Sequence, residues 1–98
     1  MIMAIRSFGN RETEEFFVTG RAPRRAGWSS VAKVAMRKLD MIRYASQLDD
    51  LRAPPGNRLE ALSGDWKGFH SIRINDQWRI AFRWTPSGPE QVEIADYH

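Results

Sequence analysis

On both sides of Asn75-Asp76, between Phe69 and Trp84, the chain alternates apolar and polar side chains with a period of two. That period belongs to half-buried β-strands, whose successive side chains leave opposite faces. Ile72 and Ile74 fall on one face, with Ser71 and Arg73 on the other. Across the turn, Trp78, Ile80, Phe82 and Trp84 oppose Arg79, Ala81 and Arg83. The polar pair Asn75-Asp76 suits a tight hairpin. Glu90–Tyr97 makes a last strand, with Val92 and Ile94 opposed to Gln91, Glu93 and Tyr97. Arg58–Leu62 is a further short strand, closed by the turn Ser63-Gly64-Asp65. The resulting sheet has one apolar face and one basic face. Outward faces of antiparallel sheets are ordinarily polar, but arginines at 73, 79 and 83 with few acids opposite point to a phosphate-binding surface.

The first half of the chain reads as helical. Ile2–Phe8 is a short strand that leads to Gly9-Asn10, where Asn10 caps a helix over Arg11–Val18. Glu12, Glu14 and Glu15 complement its dipole, and Thr19-Gly20 ends it. After the basic connection Arg21–Gly27, Ser29 or Ser30 caps a longer helix to about Ser46. Its apolar positions Val31, Ala32, Ala35, Leu39, Ile42 and Ala45 keep helical spacing, and Lys33, Arg37, Lys38 and Asp40 take most of the remainder. Leu48–Ala53 allows one more turn before Pro54-Pro55-Gly56 stops any helix. The order β-α-α-β-β-β-β implies an α+β fold, an antiparallel sheet with two helices packed on one face.

With 98 residues, residues 1–98 form one domain that buries roughly two-thirds of the unfolded chain's surface. Without cysteine there is neither a disulfide nor a thiolate-held zinc, which suits a cytoplasmic setting. The opening MIMAIRSF is too short for a signal segment, and no apolar run is long enough to span a bilayer. His70 and His98 have no recognisable metal spacing, and no glycine-rich nucleotide loop occurs. No metal and no cofactor are expected. Between Arg21 and Arg43 seven basic residues accompany one acid, Asp40. That run is either a solvated helix face or a surface that meets phosphate or an acidic protein.

Several motifs resemble the HigB branch of the RelE/ParE toxin superfamily, the plasmid-maintenance killer family. They are Ile5-Arg6-Ser7-Phe8, the run from Pro54 to Leu62, Gly64-Asp65, the run from Ser71 to Ile80, and Asp96-Tyr97-His98. The resemblance covers about Ile5 to His98. It implies a microbial RNase-like fold and metal-independent endonucleolytic cleavage of mRNA in the ribosomal A site. It also implies a HigA-type helix-turn-helix antitoxin, and contact with operator DNA only through that antitoxin. In such a reaction the 2′-hydroxyl attacks the adjacent phosphate and leaves a cyclic phosphate. A base, an acid and fixed cations are then required.

By this resemblance Arg79 stabilises the transition state and Arg73 contacts phosphate, roles suited to the planar guanidinium fork. His98 matches the family's terminal histidine and can transfer a proton near neutral pH. Asp96 and Tyr97 serve for orientation or for stacking on a base. Some relatives carry His and Lys in the segment where this chain has Glu60 and Ser63. Glu60 is therefore either the base or a surface carboxylate paired with Arg73 or Arg79. Lys67, Arg58 and Arg83 are candidate RNA contacts, with a solvated surface cation as the plain alternative for Lys67. His70 alternates with Ile72 and Ile74, so a structural, core-side role is expected of it. Two other classes compete with the nuclease: a ParE-like inhibitor of DNA gyrase, which lacks the C-terminal triplet, and an inactive module that only binds its antitoxin.

Overall fold

The structure, a computed structural model, describes residues 4–96. Two helices, α1 (Arg11–Thr19) and α2 (Ala32–Tyr44), precede a sheet of β1 (Glu60–Ala61), β2 (His70–Arg73), β3 (Arg79–Thr85) and β4 (Gly88–Ala95). The strands lie in sequence order, and each pairs antiparallel with the next. This is the expected α+β architecture.

Helix α1 begins where Asn10 Oδ1 accepts the Thr13 N–H at 2.9 Å. It ends where Gly20, at φ 77°, donates its N–H to Phe16 O, a geometry that glycine adopts without steric cost. Thr13 and Phe16 are its buried residues. Thr13 Oγ1 accepts the Ile94 N–H at 3.0 Å, so a side chain of α1 completes hydrogen bonding on β4.

Helix α2 departs from expectation at two points. Neither Ser29 nor Ser30 caps it. The chain enters through a 3₁₀ turn at Ser29–Val31, and Val31 holds the cap position without a side-chain bond. Lys38, expected among the polar positions, is buried beside Ala35, Leu39 and Ile42.

The first strand is also reduced. Of Ile2–Phe8, Ile2 and Met3 lie outside the described residues, and Phe8 contributes a single parallel bridge to Val92. Arg6 N–H reaches Pro89 O at 2.7 Å and Gly9 N–H reaches Val92 O at 2.9 Å. A regular ladder is blocked on the β4 side. Pro89 has no N–H to give, and β4 is bulged opposite Ala81 to Arg83, with Gln91 at φ 52°. The β2–β3 turn is one step longer than a two-residue hairpin. Ile74 and Asn75 both donate to Trp78 O, and Asn75 Oδ1 accepts the Gln77 and Trp78 N–H groups.

Phe16, Leu39, Ile42, Leu51, Ile72, Ile80, Phe82 and Val92 form the buried centre between the helices and one sheet face. Trp28 packs on Phe16 with ring centroids 4.8 Å apart. A methyl group at Gly27 would stand 2.6 Å from Trp78 Cζ2, so glycine lets the basic connection lie against that indole.

Glu93 is partly buried, and Asn10 Nδ2 donates to its Oε2 at 3.2 Å. Burial pushes its carboxyl above the ordinary value, and the Asn10 bond opposes this only in part. A group with a raised native pKa favours the fold below its unfolded pKa, and that contribution is lost as pH rises through the native value. Glu93→Gln should therefore melt a few degrees above wild type at pH 7 and together with it at pH 4. An equal gap at both pH values would contradict the assignment.

Candidate active site

The sheet register gathers the open-face residues. Glu60 pairs with Ser71, and Arg73 pairs with Arg79, which in turn pairs with Ala95. Directly paired residues share a face, so Glu60, Ser71, Arg73 and Arg79 lie together across three strands on the side away from the helices.

Arg79 is the best-held of the charged groups, with only 13% of its side chain exposed. Its Nε donates to Ser71 Oγ at 2.8 Å, and its Nη2 donates to Arg58 O at 2.7 Å. Glu60 Oε1 lies 3.6 Å from the same Nε. A carboxylate and a carbonyl thus compensate a largely desolvated cation, and the fork holds more N–H donors than these two bonds use. Glu60 itself is exposed and can meet a ligand. Of the two arginines expected as its partners, Arg79 is the one that it approaches.

The carbonyl that holds Arg79 is itself fixed from below. Arg58 takes a left-handed conformation, φ 46° and ψ 53°, after a 3₁₀ turn at Pro55–Asn57. Asn57 is fully buried. Its Oδ1 accepts a bond from Lys38 Nζ, and its Nδ2 donates to Leu51 O at 3.2 Å and Ala53 O at 3.4 Å. Burial holds the Lys38 ammonium below its ordinary pKa, with Arg37 and Arg73 adding to the shift. A continuous path therefore runs from α2 through Lys38, Asn57 and Arg58 to the Arg79 guanidinium.

The other expected residues are divided. Arg73, 28% exposed, pairs with Asp76 at 2.5 Å, and this bond holds the Asp76 carboxyl below its usual range. Asp96 follows Ala95 at the Arg79 end of β4 and accepts a bond from Gln77 Nε2 at 3.0 Å. Tyr97 and His98 lie outside the described residues. Arg83 stands four residues along β3 from Arg79, about 13 Å at the usual strand rise. Its guanidinium covers the Phe69 ring at 5.4 Å, and Lys67 is exposed beside that loop. Arg83 and Lys67 thus form a second basic area and do not join the Arg79 cluster. His70 faces Phe82, with rings stacked at 24°. Its Nδ1 is buried with no hydrogen-bond partner among the described residues, so its core-side placement is as expected but a satisfied imidazole is not found.

Ser71, Asn57 and Lys38 were not read as site residues. The strand alternation placed Ser71 on the basic face and is the signal that could have found it. Asn57 and Lys38 give no comparable signal, because their contact joins segments 19 residues apart. Among the described residues, no group of three or more His, Cys, Asp or Glu side chains is placed to hold a metal ion, and no helix is long and apolar enough to cross a membrane.

The same fold occurs in solved structures. Two solved structures of the YoeB-YefM complex from Staphylococcus aureus, one described as a heterotetrameric toxin-antitoxin complex, superpose with TM-scores of 0.56 and 0.57. In each case identity is 16%, with 100% of this chain and 99% of the other covered. The model of the RelE-like toxin of the type II toxin-antitoxin system HigB matches residues 6–98, and the chain belongs to this HigB-like toxin family. Toxin HigB-1 of Vibrio cholerae serotype O1 is 48% identical over 56 residues. An uncharacterized protein of Haemophilus influenzae is 43% identical over 56 residues. Each match takes in 57% of this chain, and it spans 59% and 55% of the respective relatives.

Proposed function

We propose that this chain is the toxin of a type II toxin-antitoxin system. In this reading it is a metal-independent endoribonuclease that cuts mRNA in the A site of the 30S subunit and so blocks translation in the cytoplasm. The observation that supports this most is Arg79, a preorganised guanidinium on the open face with a carboxylate 3.6 Å from its Nε. Arg79 grips the scissile phosphate and stabilises the charge that grows on its oxygens, as a preorganised donor does without reorganising during the reaction. Arg73 contacts the same or the adjoining phosphate, exchanging its exposed partner Asp76 for RNA.

One proton leaves the attacking 2′-hydroxyl and one reaches the departing 5′-oxygen, while the new P–O bond closes the cyclic phosphate. Glu60 and His98 supply the base and the acid between them. Asp96 and Tyr97 orient the terminal histidine or stack on a base. Arg58, Lys67 and Arg83 track the flanking RNA backbone, which such cations do without reading sequence. The ribosome holds the message in line, so naked RNA is a poor substrate.

A HigA-type antitoxin restrains the toxin and carries it to operator DNA. The basic surface of α2 or the Arg21–Arg25 connection takes either that partner or rRNA.

A purified translation system tests the class of target. Added toxin should stop peptide synthesis while DNA gyrase supercoils as before. Loss of supercoiling with translation intact would replace the nuclease by a gyrase inhibitor. Loss of neither would leave an antitoxin-binding module.

A further inference from the structure

Arg83 is ordered differently from Arg79. Arg79 is held by hydrogen bonds, whereas Arg83 is held by packing. Its guanidinium lies 5.4 Å from the centre of the Phe69 ring, a favourable place for a cation. Phe69 is braced in turn by the edge-on Trp66 ring, with centroids 5.3 Å apart. Gly68, at φ 93°, lets the fork come close, since a methyl group there would stand 3.0 Å from Arg83 Nη2 and 3.7 Å from its Cζ. The backbone of this loop is closed by Leu62 N–H to Phe69 O at 2.8 Å and Phe69 N–H to Trp66 O at 2.9 Å. Arg83 Nε is buried and has no hydrogen-bond partner among the described residues. Glu90 is the register partner of Arg83 on β4, but no ion pair joins the two. The result is a half-buried fork, fixed in place, whose donors are not spent on a carboxylate of the protein.

We infer that Arg83, with Lys67 beside it, is a second phosphate seat that holds one particular linkage of the message on one side of the cut. The inference rests on the nuclease reading and deepens it, because it separates the group that binds the message from the group that acts at the scissile phosphate. Arg79, Ala81 and Arg83 alternate along β3, so both forks belong to the open face. Their anchors keep them apart: Ser71 and Arg58 hold one fork, and Phe69 and Gly68 hold the other. A strand gripped at Arg79 therefore meets Arg83 at another linkage. A guanidinium with free donors takes two phosphate oxygens at once, and one ordered in advance loses little freedom on binding. Exposed Lys67 adds a positive charge at the same loop. Such a contact sets where the strand lies without reading its sequence. Arg83 thus acts in binding and not in the chemical step.

The test uses ribosomes programmed with a defined message and with versions in which a single linkage flanking the cut is a methylphosphonate, which keeps the backbone and removes one charge. Arg83→Met retains an apolar stem against Phe69 and loses the fork, and Gly68→Ala retains Arg83 but crowds its Nη2. On the unmodified message Arg83→Met should raise KM about tenfold and leave kcat within about twofold of wild type. Gly68→Ala should raise KM in the same direction. Neutralising one linkage, on one side of the cut, should raise the wild-type KM as much as the Arg83→Met substitution does and should weaken Arg83→Met no further. Equal weakening of both proteins at every linkage would overturn the seat while leaving the nuclease standing. So would an Arg83→Met protein with the wild-type KM, or one in which kcat falls and KM does not. Failure of wild type to cut any message would overturn the nuclease reading and the seat together.

Discussion

Replacing Arg79 with alanine is expected to slow ribosome-dependent cleavage by about 10²- to 10³-fold, the usual cost of removing one preorganised donor to a developing oxyanion. Arg79 is held by Ser71 Oγ and Arg58 O, so the guanidinium stays in place when no substrate is bound. Arg79→Lys should recover only a small part of the rate. An ammonium supplies the charge, but it cannot reach Ser71, Arg58 and a phosphate as one planar fork. Circular dichroism and affinity for ribosomes should be nearly unchanged in the lysine variant, which separates lost chemistry from lost structure. Cleavage by Arg79→Ala within about threefold of wild type would remove Arg79 from the mechanism, because one such donor costs about 100-fold or more.

Asn57→Ala is expected to destabilise the fold by about 3 kcal/mol, because it leaves the buried Lys38 ammonium without its acceptor and the buried Leu51 carbonyl without its donor. For a domain of this size that corresponds to a fall in Tm of about 12–24 °C. Lys38→Met should cost less, since it removes the buried charge together with its need for a partner. The ammonium's lowered native pKa adds a sign that can be checked. Between that pKa and the unfolded value the unfolded chain binds more protons, so stability rises with pH across that window. Lys38→Met should flatten the rise, and denaturant unfolding at a series of alkaline pH values measures it. An Asn57→Ala protein that melts like wild type would show that the Arg58 loop is held by other contacts. A destabilised but folded Asn57→Ala protein should also cut more slowly at low temperature, since Arg58 O positions Arg79.

Much of this architecture was legible in the residues. The period-two pattern through Ile72, Ile80 and Phe82 gave the apolar face of the sheet, because such alternation has one structural meaning when a single face is buried. Asn10 and Gly20 marked the ends of α1 through local backbone chemistry that needs no tertiary contact. What escaped depends on segments meeting across the fold. Lys38 sits in a polar stretch of α2, and only the arrival of Asn57 from another loop makes its burial tolerable. The first strand failed because β4 bulges at Gln91 and presents Pro89, features of the partner edge and not of Ile2–Phe8. On the site, alternation placed Arg73, Arg79 and Arg83 on one face but could not separate them. Distance along β3 and the Phe69 ring set Arg83 apart.

Ribosome-dependent cleavage through Arg79 is tested most directly by mapping mRNA 5′ ends on purified ribosomes with a defined codon in the A site, using wild type and Arg79→Ala side by side. New ends should appear within the A-site codon for wild type, absent without ribosomes and strongly reduced with the variant. Growth arrest on expression without any new ends would rule out the nuclease.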